Sequence, residues 1–426
     1  MNESAPSSAV PSSSAASLSH AAPSSTRSII ASGSGCAAPL FPDFVLGGFE
    51  CSCHRLRDGR RLDLLASTRH AELAEGDYAR LVAMGTTTCR DGAPWVTVEQ
   101  GPSSYDFSRV ARMLHAADRN GVQVIWDLMH FGWPDDVDPF APSFPSRFAR
   151  YAAAFARWYA SETDQPAMLT LINEMSFLAW AGGDVRYMNP FEAARGVELK
   201  AQLVRATIEA IEAVRAVLKD ARFFQPEPVI NILAPPDRPN LLARVESDNL
   251  LQYQALDMLT GRVWPSLGGH PRYLDIVGVN FYSDNQFISD GTTVERSDPL
   301  YKPFAAMLLE VWQRYERPMI VSETGCEGDG RVPWLRYVAA ECHAALRAGC
   351  ELHGLTLYPI INSPGWGDER HCHNGLWDYA DEHGHRKLDE PFLAELQHQH
   401  GPLLAARAEM LARRSAATCD AAGHEA

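Results

Sequence analysis

Short apolar runs recur along the chain, and each is followed by a stretch with helical periodicity. The runs are FVLGGFE (44–50), GTTTCR (85–90), VQVIWDLMH (122–130), MLTLINE (168–174), PVINILA (228–234), LDIVGVNFY (274–282), PMIVSE (318–323) and HGLTLYP (353–359). They are nearly continuous in apolar residues rather than alternating, the pattern of parallel strands buried on both faces. Between them the periodicity predicts helices near 71–84, 106–120, 145–161, 191–220, 247–260, 301–315 and 333–348, with an eighth over 391–413. Asn120-Gly121 is a stop signal for the second of these. Eight β and eight α units in strict order predict an α/β chain folded as a (β/α)8 TIM barrel. The alternative, a doubly wound open sheet, would call for a glycine-rich dinucleotide fingerprint after the first strand, and none is present.

The flanks differ in kind. Residues 1–38 are rich in Ser, Ala and Pro and lack apolar periodicity, so a disordered tail is expected there. The segment SAATCDAAGHEA suggests the same for 414–426, leaving 39–413 as one barrel domain. Composition narrows the partners. With 46% hydrophobic residues the chain can bury a large core, and a formal net charge of -15 disfavours nucleic acid and anionic membranes as partners. No apolar run approaches the roughly 20 residues needed to span a bilayer. The start of the chain lacks the basic and apolar regions of a secretory signal. Nine cysteines scattered over this length do not form a disulfide framework, and a cytoplasmic location is expected.

In a barrel, chemistry collects where strands end at the C-terminal face. The strand ends here carry Glu50, Arg90, His130, Asn173, Glu174, Asn280, Tyr282, Glu323, Tyr358 and Asn362. Two carboxyls stand out, Glu174 closing the fourth strand and Glu323 closing the seventh. A pair of carboxyls in one pocket can work at an acetal carbon if one stays protonated to donate to the leaving oxygen and the other stays ionised. Arg90 and Tyr282 are placed to favour an ionised Glu323, and Asn173 to bind a substrate hydroxyl. CSCH (51–54) and RHCHN (370–374) raise a metal site, but their spacing departs from usual zinc patterns, and loop residues near the barrel mouth are the expected reading. The aromatics Trp126, Phe131, Trp133, Trp180, Trp366 and Trp377 are candidates for stacking on sugar faces.

These motifs resemble those of the large retaining (β/α)8 glycoside hydrolase clan, most of all the β-glucosidase family (family one), from about Phe44 to Asp381. RDGAPW (90–95) is similar to that family's Arg-Phe-Ser-x-x-Trp segment, and DLMHFGWPD (127–135) to its Leu-Tyr-His-Trp-Asp-Leu-Pro segment. INEM (172–175) resembles its Asn-Glu-Pro motif, VGVNFYS (277–283) its Gly-Leu-Asn-Tyr-Tyr motif, and VSETG (321–325) its Thr-Glu-Asn-Gly motif. LYPIINSPGW (357–366) and NGLWDYAD (374–381) resemble its Trp-Ser-Leu-Leu-Asp-Asn-Phe-Glu-Trp and Phe-Gly-Leu-x-x-Val-Asp segments. The resemblance implies Glu174 as acid/base, Glu323 as nucleophile and His130 as a sugar-binding residue. The chain also departs from the family: Met175 stands for a Pro and Thr324 for an Asn. His54 falls near a sugar-binding Gln, and Gly365 falls where a carboxylate grips the outer hydroxyls of the glycon.

The expected function is therefore a retaining β-glycoside hydrolase acting on a carbohydrate, with Glu174 and Glu323 catalytic. The expected substrate-binding set is His54, Arg90, His130, Asn173, Asn280, Tyr282, Tyr358, Asn362 and Trp366. No cofactor or metal is called for. A transglycosidase with the same site, or a carbohydrate-binding barrel that has lost turnover, are the alternatives. A metal-dependent barrel hydrolase would need histidines at several strand ends, and His130 alone clearly sits at one. The oligomeric state is not readable from the sequence.

Overall fold

The computed structural model describes residues 38–423. The tail expected over 1–38 lies, apart from Ala38, outside the described residues. Eight parallel strands close into a barrel in sequential order. They are β1 (Val45–Gly48), β2 (Thr88–Gly92), β3 (Gln123–Met129), β4 (Met168–Ile172), β5 (Arg222–Pro228), β6 (Ile276–Asn280), β7 (Met319–Thr324) and β8 (Leu352–Leu357). Around them lie α1 (His70–Ala83), α2 (Ser108–Asn120), α3 (Phe144–Glu162), α4 (Met175–Gly183), α5 (Gly196–Arg215), α6 (Gln254–Leu259), α7 (Phe304–Tyr315), α8 (Arg331–Arg347) and α9 (Glu390–Gly423). Gly121 caps α2 in the left-handed region at φ 67°, as the Asn-Gly stop signal implied. The (β/α)8 expectation is thus met, with three differences in detail.

The fifth strand is Arg222–Pro228, not 228–234. Its sequence RFFQPEP carries two prolines and three polar or charged side chains, which disguise it as a loop. The apolar run taken for it instead supplies Asn231–Leu233 to a two-stranded sheet with Gln286–Ile288. The region expected as a helix over 247–260 is broken into Leu242–Leu250 and α6, joined by a 3-10 turn. The last helix does not stop at 413 but runs to Gly423. Its Ala-rich end, read as a tail, has the composition that favours helix most.

Inside the barrel, Phe41 with Leu46, Ile125, Met168, Phe224, Ile276 and Ile320 forms an apolar plug separate from the larger core between strands and helices. Two glycines allow the layer above it to assemble. A side chain at Gly48 would overlap the Tyr358 ring, and one at Gly278 would press on Ser322 Oγ and the Pro226 backbone. Closure is completed from the far end of the chain. Arg407 on α9 donates to the carbonyls of Pro42, Asp43 and His353, while the Phe44 N–H donates to His400 Nε2.

A buried charge cluster fastens α1 to β2 and to a hairpin formed by Trp377–Ala380 and Arg386–Leu388. His70 is within 2.9 Å of Asp77 Oδ2 through Nδ1 and 2.8 Å of Asp91 Oδ2 through Nε2. Arg386 donates to both oxygens of Asp77, Tyr78 OH donates to Asp91, and the Phe49 ring stacks on the imidazole. Burial opposes a charge on His70, but Asp91 and Asp77 outweigh it and raise its pKa to about 9. A histidine raised in the folded state contributes stability below its unfolded value and loses it as pH rises through the folded one. Thermal unfolding should therefore show a loss between about pH 6.5 and 9, on the order of 3 kcal/mol. His70→Gln should be less stable at pH 6 and should lose less stability than the wild type across that window. A wild-type melting temperature that does not fall there would show that His70 is not charged in the native state.

Candidate active site

The ends of β2, β3, β4, β6 and β7 bring a single hydrogen-bonded set of polar side chains together, and Arg90 stands at its centre. Arg90 is fully buried in the middle of β2. Its Nη1 donates to Glu323 Oε1 (2.6 Å) and its Nη2 to Asn173 Oδ1 (2.6 Å). Its Nε lies 3.0 Å from Asp127 Oδ1 and its Nη2 2.7 Å from Asp127 Oδ2. Tyr282 OH donates to the other oxygen of Glu323 at 2.9 Å. Both oxygens of Glu323 thus accept hydrogen bonds that favour the anion.

Glu174 has a different environment. It follows β4 and begins α4 with φ 45° and ψ 61°, the left-handed region, which costs a non-glycine residue roughly 1–2 kcal/mol. Its N–H donates to the Pro226 carbonyl (3.1 Å) and its carbonyl accepts from the Leu178 N–H (2.9 Å). Asn280 Nδ2 donates to Glu174 Oε1 at 2.7 Å, and Ser322 Oγ donates to Asn280 Oδ1 at 2.6 Å, which fixes the direction of the amide. No cation pairs with Glu174 among the described residues. Burial raises its pKa well above the usual carboxylate range, and the Glu323 charge raises it further. Behind β5, Glu227 accepts from the Ser176 N–H at the start of α4 (3.0 Å), and burial pushes its own pKa to about 7.

Of the residues expected in the site, Arg90, His130, Asn173, Glu174, Asn280, Tyr282 and Glu323 belong to this set. His130 Nε2 is 2.9 Å from Asn173 Nδ2, and its Nδ1 is 3.3 Å from Tyr358 OH. Tyr358 also points its hydroxyl at Glu50 Oε1, 3.4 Å away. His54 lies apart from the hydrogen-bond network. Its ring is buried edge-on to Trp366 and Phe131, with neither nitrogen bonded to protein, and burial lowers its pKa to about 3. A neutral imidazole with two unused nitrogens is a ready partner for a ligand hydroxyl. Asn362 departs from the expectation. Its amide accepts from the Gly375 N–H and donates to Asp378 Oδ1, so both ends hold the loop after β8 rather than the pocket.

Three residues of the site escaped the sequence reading: Asp127, Ser322 and Glu227. Asp127 carried a signal, a lone charge in the middle of an otherwise apolar strand. Glu227 was hidden by the misplaced fifth strand. Among the described residues two groups have metal-ligand spacing, Cys51 with Asp127 and His130, and His371 with His373 and Asp378. In the first, Asp127 is already bound to Arg90; in the second, His371 Nε2 is bonded to Asp378. Of the candidate aromatics, Phe131 and Trp366 flank His54, while Trp126, Trp133 and Trp377 are core residues and Trp180 is exposed. A recess of about 820 Å³ lined by Asn231, Tyr253, Lys302 and Arg314 includes none of the strand-end residues.

No protein-family model matches the chain, and no curated protein matches it. Its fold does match solved structures. A family 1 β-glucosidase from Thermotoga maritima superposes with a TM-score of 0.70 at 13% identity, over 86% of this chain and 98% of that one. A hyperthermophilic β-glucosidase mutant gives 0.66 at 16% identity, over 83% and 98%. The AHE enzyme from Alicyclobacillus herbarius gives 0.68 at 14% identity, over 87% and 99%. At these identities the likeness establishes a shared fold: the chain has the (β/α)8 barrel that these three proteins have.

The contrast between the two carboxyls makes a direct prediction. Glu323→Gln keeps the shape of the side chain and removes its charge. The pKa of Glu174 should then fall, while burial still holds it above the usual range. Carboxyl ¹³C NMR on glutamate-labelled protein would follow it. An unchanged Glu174 titration would show that burial alone sets its proton affinity.

Proposed function

We propose that the chain is a retaining β-glycoside hydrolase in which Glu323 is the nucleophile and Glu174 the acid/base. The observation that carries this reading is the opposite treatment of the two groups. Glu323 is given an arginine and a tyrosine O–H, which favour its anion, whereas Glu174 is buried without a cation beside the Glu323 charge. Two carboxyls whose surroundings push their proton affinities apart are what double displacement at an anomeric carbon requires.

In the first step a Glu323 oxygen attacks the anomeric carbon, the glycosidic C–O bond breaks, and Glu174 delivers its proton to the departing oxygen. Bond formation consumes the Glu323 charge. The electrostatic cause that raised Glu174 then disappears, and its carboxylate becomes stable enough to take a proton from water. That water attacks the anomeric carbon, Glu323 leaves as carboxylate, and Glu174 is again protonated. His54, Tyr358 and Trp366 would line the glycon side, with Asn173 placed for a hydroxyl next to the anomeric carbon. The carbohydrate complexes among the neighbours, such as a Thermotoga maritima β-glucosidase with glucoimidazole, support a sugar as the ligand of this fold.

Glu323→Ala and Glu174→Ala should separate the roles. The 2-fluoroglycosyl group of an activated 2-fluoro aryl glycoside should become covalently attached at Glu323 with release of the phenol, as read by peptide mass. Glu174→Ala should lose about 10²–10⁴-fold on substrates with poor leaving groups and far less on activated aryl glycosides. Equal losses on both substrate types would remove Glu174 from the acid role.

The glycon end yields a second expectation. Gly365 offers no carboxylate, and Asp368 Oδ1 fills the space a side chain there would occupy, with Arg370 beside it. Glu369 is drawn away into an ion pair with Arg60. A glucoside that relied on a carboxylate at 365 would bury unpaired hydroxyls at about 1–3 kcal/mol each. Aryl glucoside should therefore be a weaker substrate than a glycon with a modified or missing outer hydroxyl. If glucoside gives the highest kcat/KM across glucoside, fucoside, xyloside and uronide, and Asp368→Ala and Glu369→Ala leave that order intact, Gly365 does not redirect specificity.

A further inference from the structure

We infer that Asp127 is a positioning residue for this reaction: through one ring of contacts it orients Arg90 and lies against His130, and it divides the charge of Arg90 with Glu323. The inference rests on the glycosidase reading above and extends it to a residue that touches neither the reacting atoms nor, in that reading, the sugar.

The ring has four members. Asp127 takes Arg90 Nε at Oδ1 (3.0 Å) and Arg90 Nη2 at Oδ2 (2.7 Å). Arg90 Nη2 donates to Asn173 Oδ1 (2.6 Å), and Asn173 Nδ2 is 2.9 Å from His130 Nε2. His130 Nδ1 returns to Asp127 Oδ2 at 3.3 Å. His130 Nδ1 also lies 3.2 Å from Cys51 Sγ and 3.3 Å from Tyr358 OH, and with its proton on that nitrogen Nε2 is the acceptor that the Asn173 amide needs. All four side chains are buried.

The guanidinium is saturated. Arginine has five N–H groups in a fixed fork. Here Nε and Nη2 serve Asp127 and Asn173, while Nη1 reaches Glu323 Oε1 and, at 3.4 Å, the Ser322 carbonyl. The two-point grip of Asp127 fixes the plane of the fork, and that plane aims Nη1 at Glu323. A single cation is thereby placed between two anions. Glu323 feels an attraction weaker than that of an undivided arginine and remains a better nucleophile for it.

The other titratable groups around these carboxylates keep their places when Asp127 alone is altered. Glu174, Tyr282 and Tyr358 face Glu323, Glu50 acts on both tyrosines, and Cys51 Sγ lies 3.7 Å from Asp127 Oδ2.

Asp127→Asn tests the idea, because it preserves volume and removes the charge. The measurement is the pH profile of kcat/KM on an aryl β-glycoside, whose acid limb reports ionisation of the nucleophile. With Arg90 given wholly to Glu323, the acid limb should move to lower pH by roughly one unit. Formation of the glycosyl-enzyme should slow at least about tenfold. An anchoring role alone would lower activity and leave the limb in place, and that result overturns the inference. Attachment of the 2-fluoroglycosyl group at Glu323 in the wild type is measured first. Its absence overturns the glycosidase reading itself, before any variant is compared. If Asp127→Asn does not fold, Asp127→Glu decides: it retains the charge on a longer arm, so the limb should stay while turnover falls with the displaced fork. Wild-type turnover in that variant overturns the inference.

Discussion

A buried guanidinium governs this site. Taking a cation out of water costs several kcal/mol even after relaxation, and the cost is recovered only where anions and acceptors meet it with good geometry. Arg90 is met by Asp127, Glu323, Asn173 and the Ser322 backbone, which come from β3, β7, the end of β4 and β7 again. The barrel must therefore close with those strands in register before Arg90 is satisfied. Strand register, the two close-approach glycines and the conformation of the strand ends can all be understood as conditions for seating one side chain.

Near it lies a group that the fold denies such help. Glu174 sits at a backbone conformation disfavoured for its residue type, held by the Pro226 carbonyl on one side and the first turn of α4 on the other. Strain of this kind persists where the surrounding structure over-determines it, and it concentrates at functional sites. The result is an asymmetric pair, one carboxyl fed with donors and the other kept dry. Glu227 adds a further buried acid behind α4, with Lys200 near enough to act on it.

Much of this was legible in the sequence, and the failures have physical causes. Unbroken apolar runs revealed seven of the eight strands, because burial on both faces leaves no room for alternation. The fifth was missed because RFFQPEP turns Gln225 and Glu227 outward under the helices and tolerates proline where no ladder bond is needed. Glu174, Glu323 and Arg90 were recognisable as strand-end charges. Asp127 was marked only as a lone charge in an apolar strand, because its partner Arg90 lies on the neighbouring strand β2 and the pairing of the two is not written in the local pattern. Asn362 shows the reverse error: a polar residue after a strand was assigned to the pocket, whereas it stitches the loop that follows. Helix propensity in the Ala-rich end outweighed its low-complexity appearance, and α9 runs on past 413.

The way α9 seals the barrel bears on how the chain is made. β1 hydrogen-bonds to β8 as well as β2, and Arg407 and His400 grip the segment Pro42–Phe44 from residues more than 350 positions away. On a ribosome the first strand is complete long before its second neighbour and its clasp have been synthesised. Until then one edge of a parallel sheet stands open, with its backbone groups free to pair with another nascent chain. Closure of that edge thus waits on the residues of α9, and the interval before they are made is the period in which this barrel has most need of a chaperone.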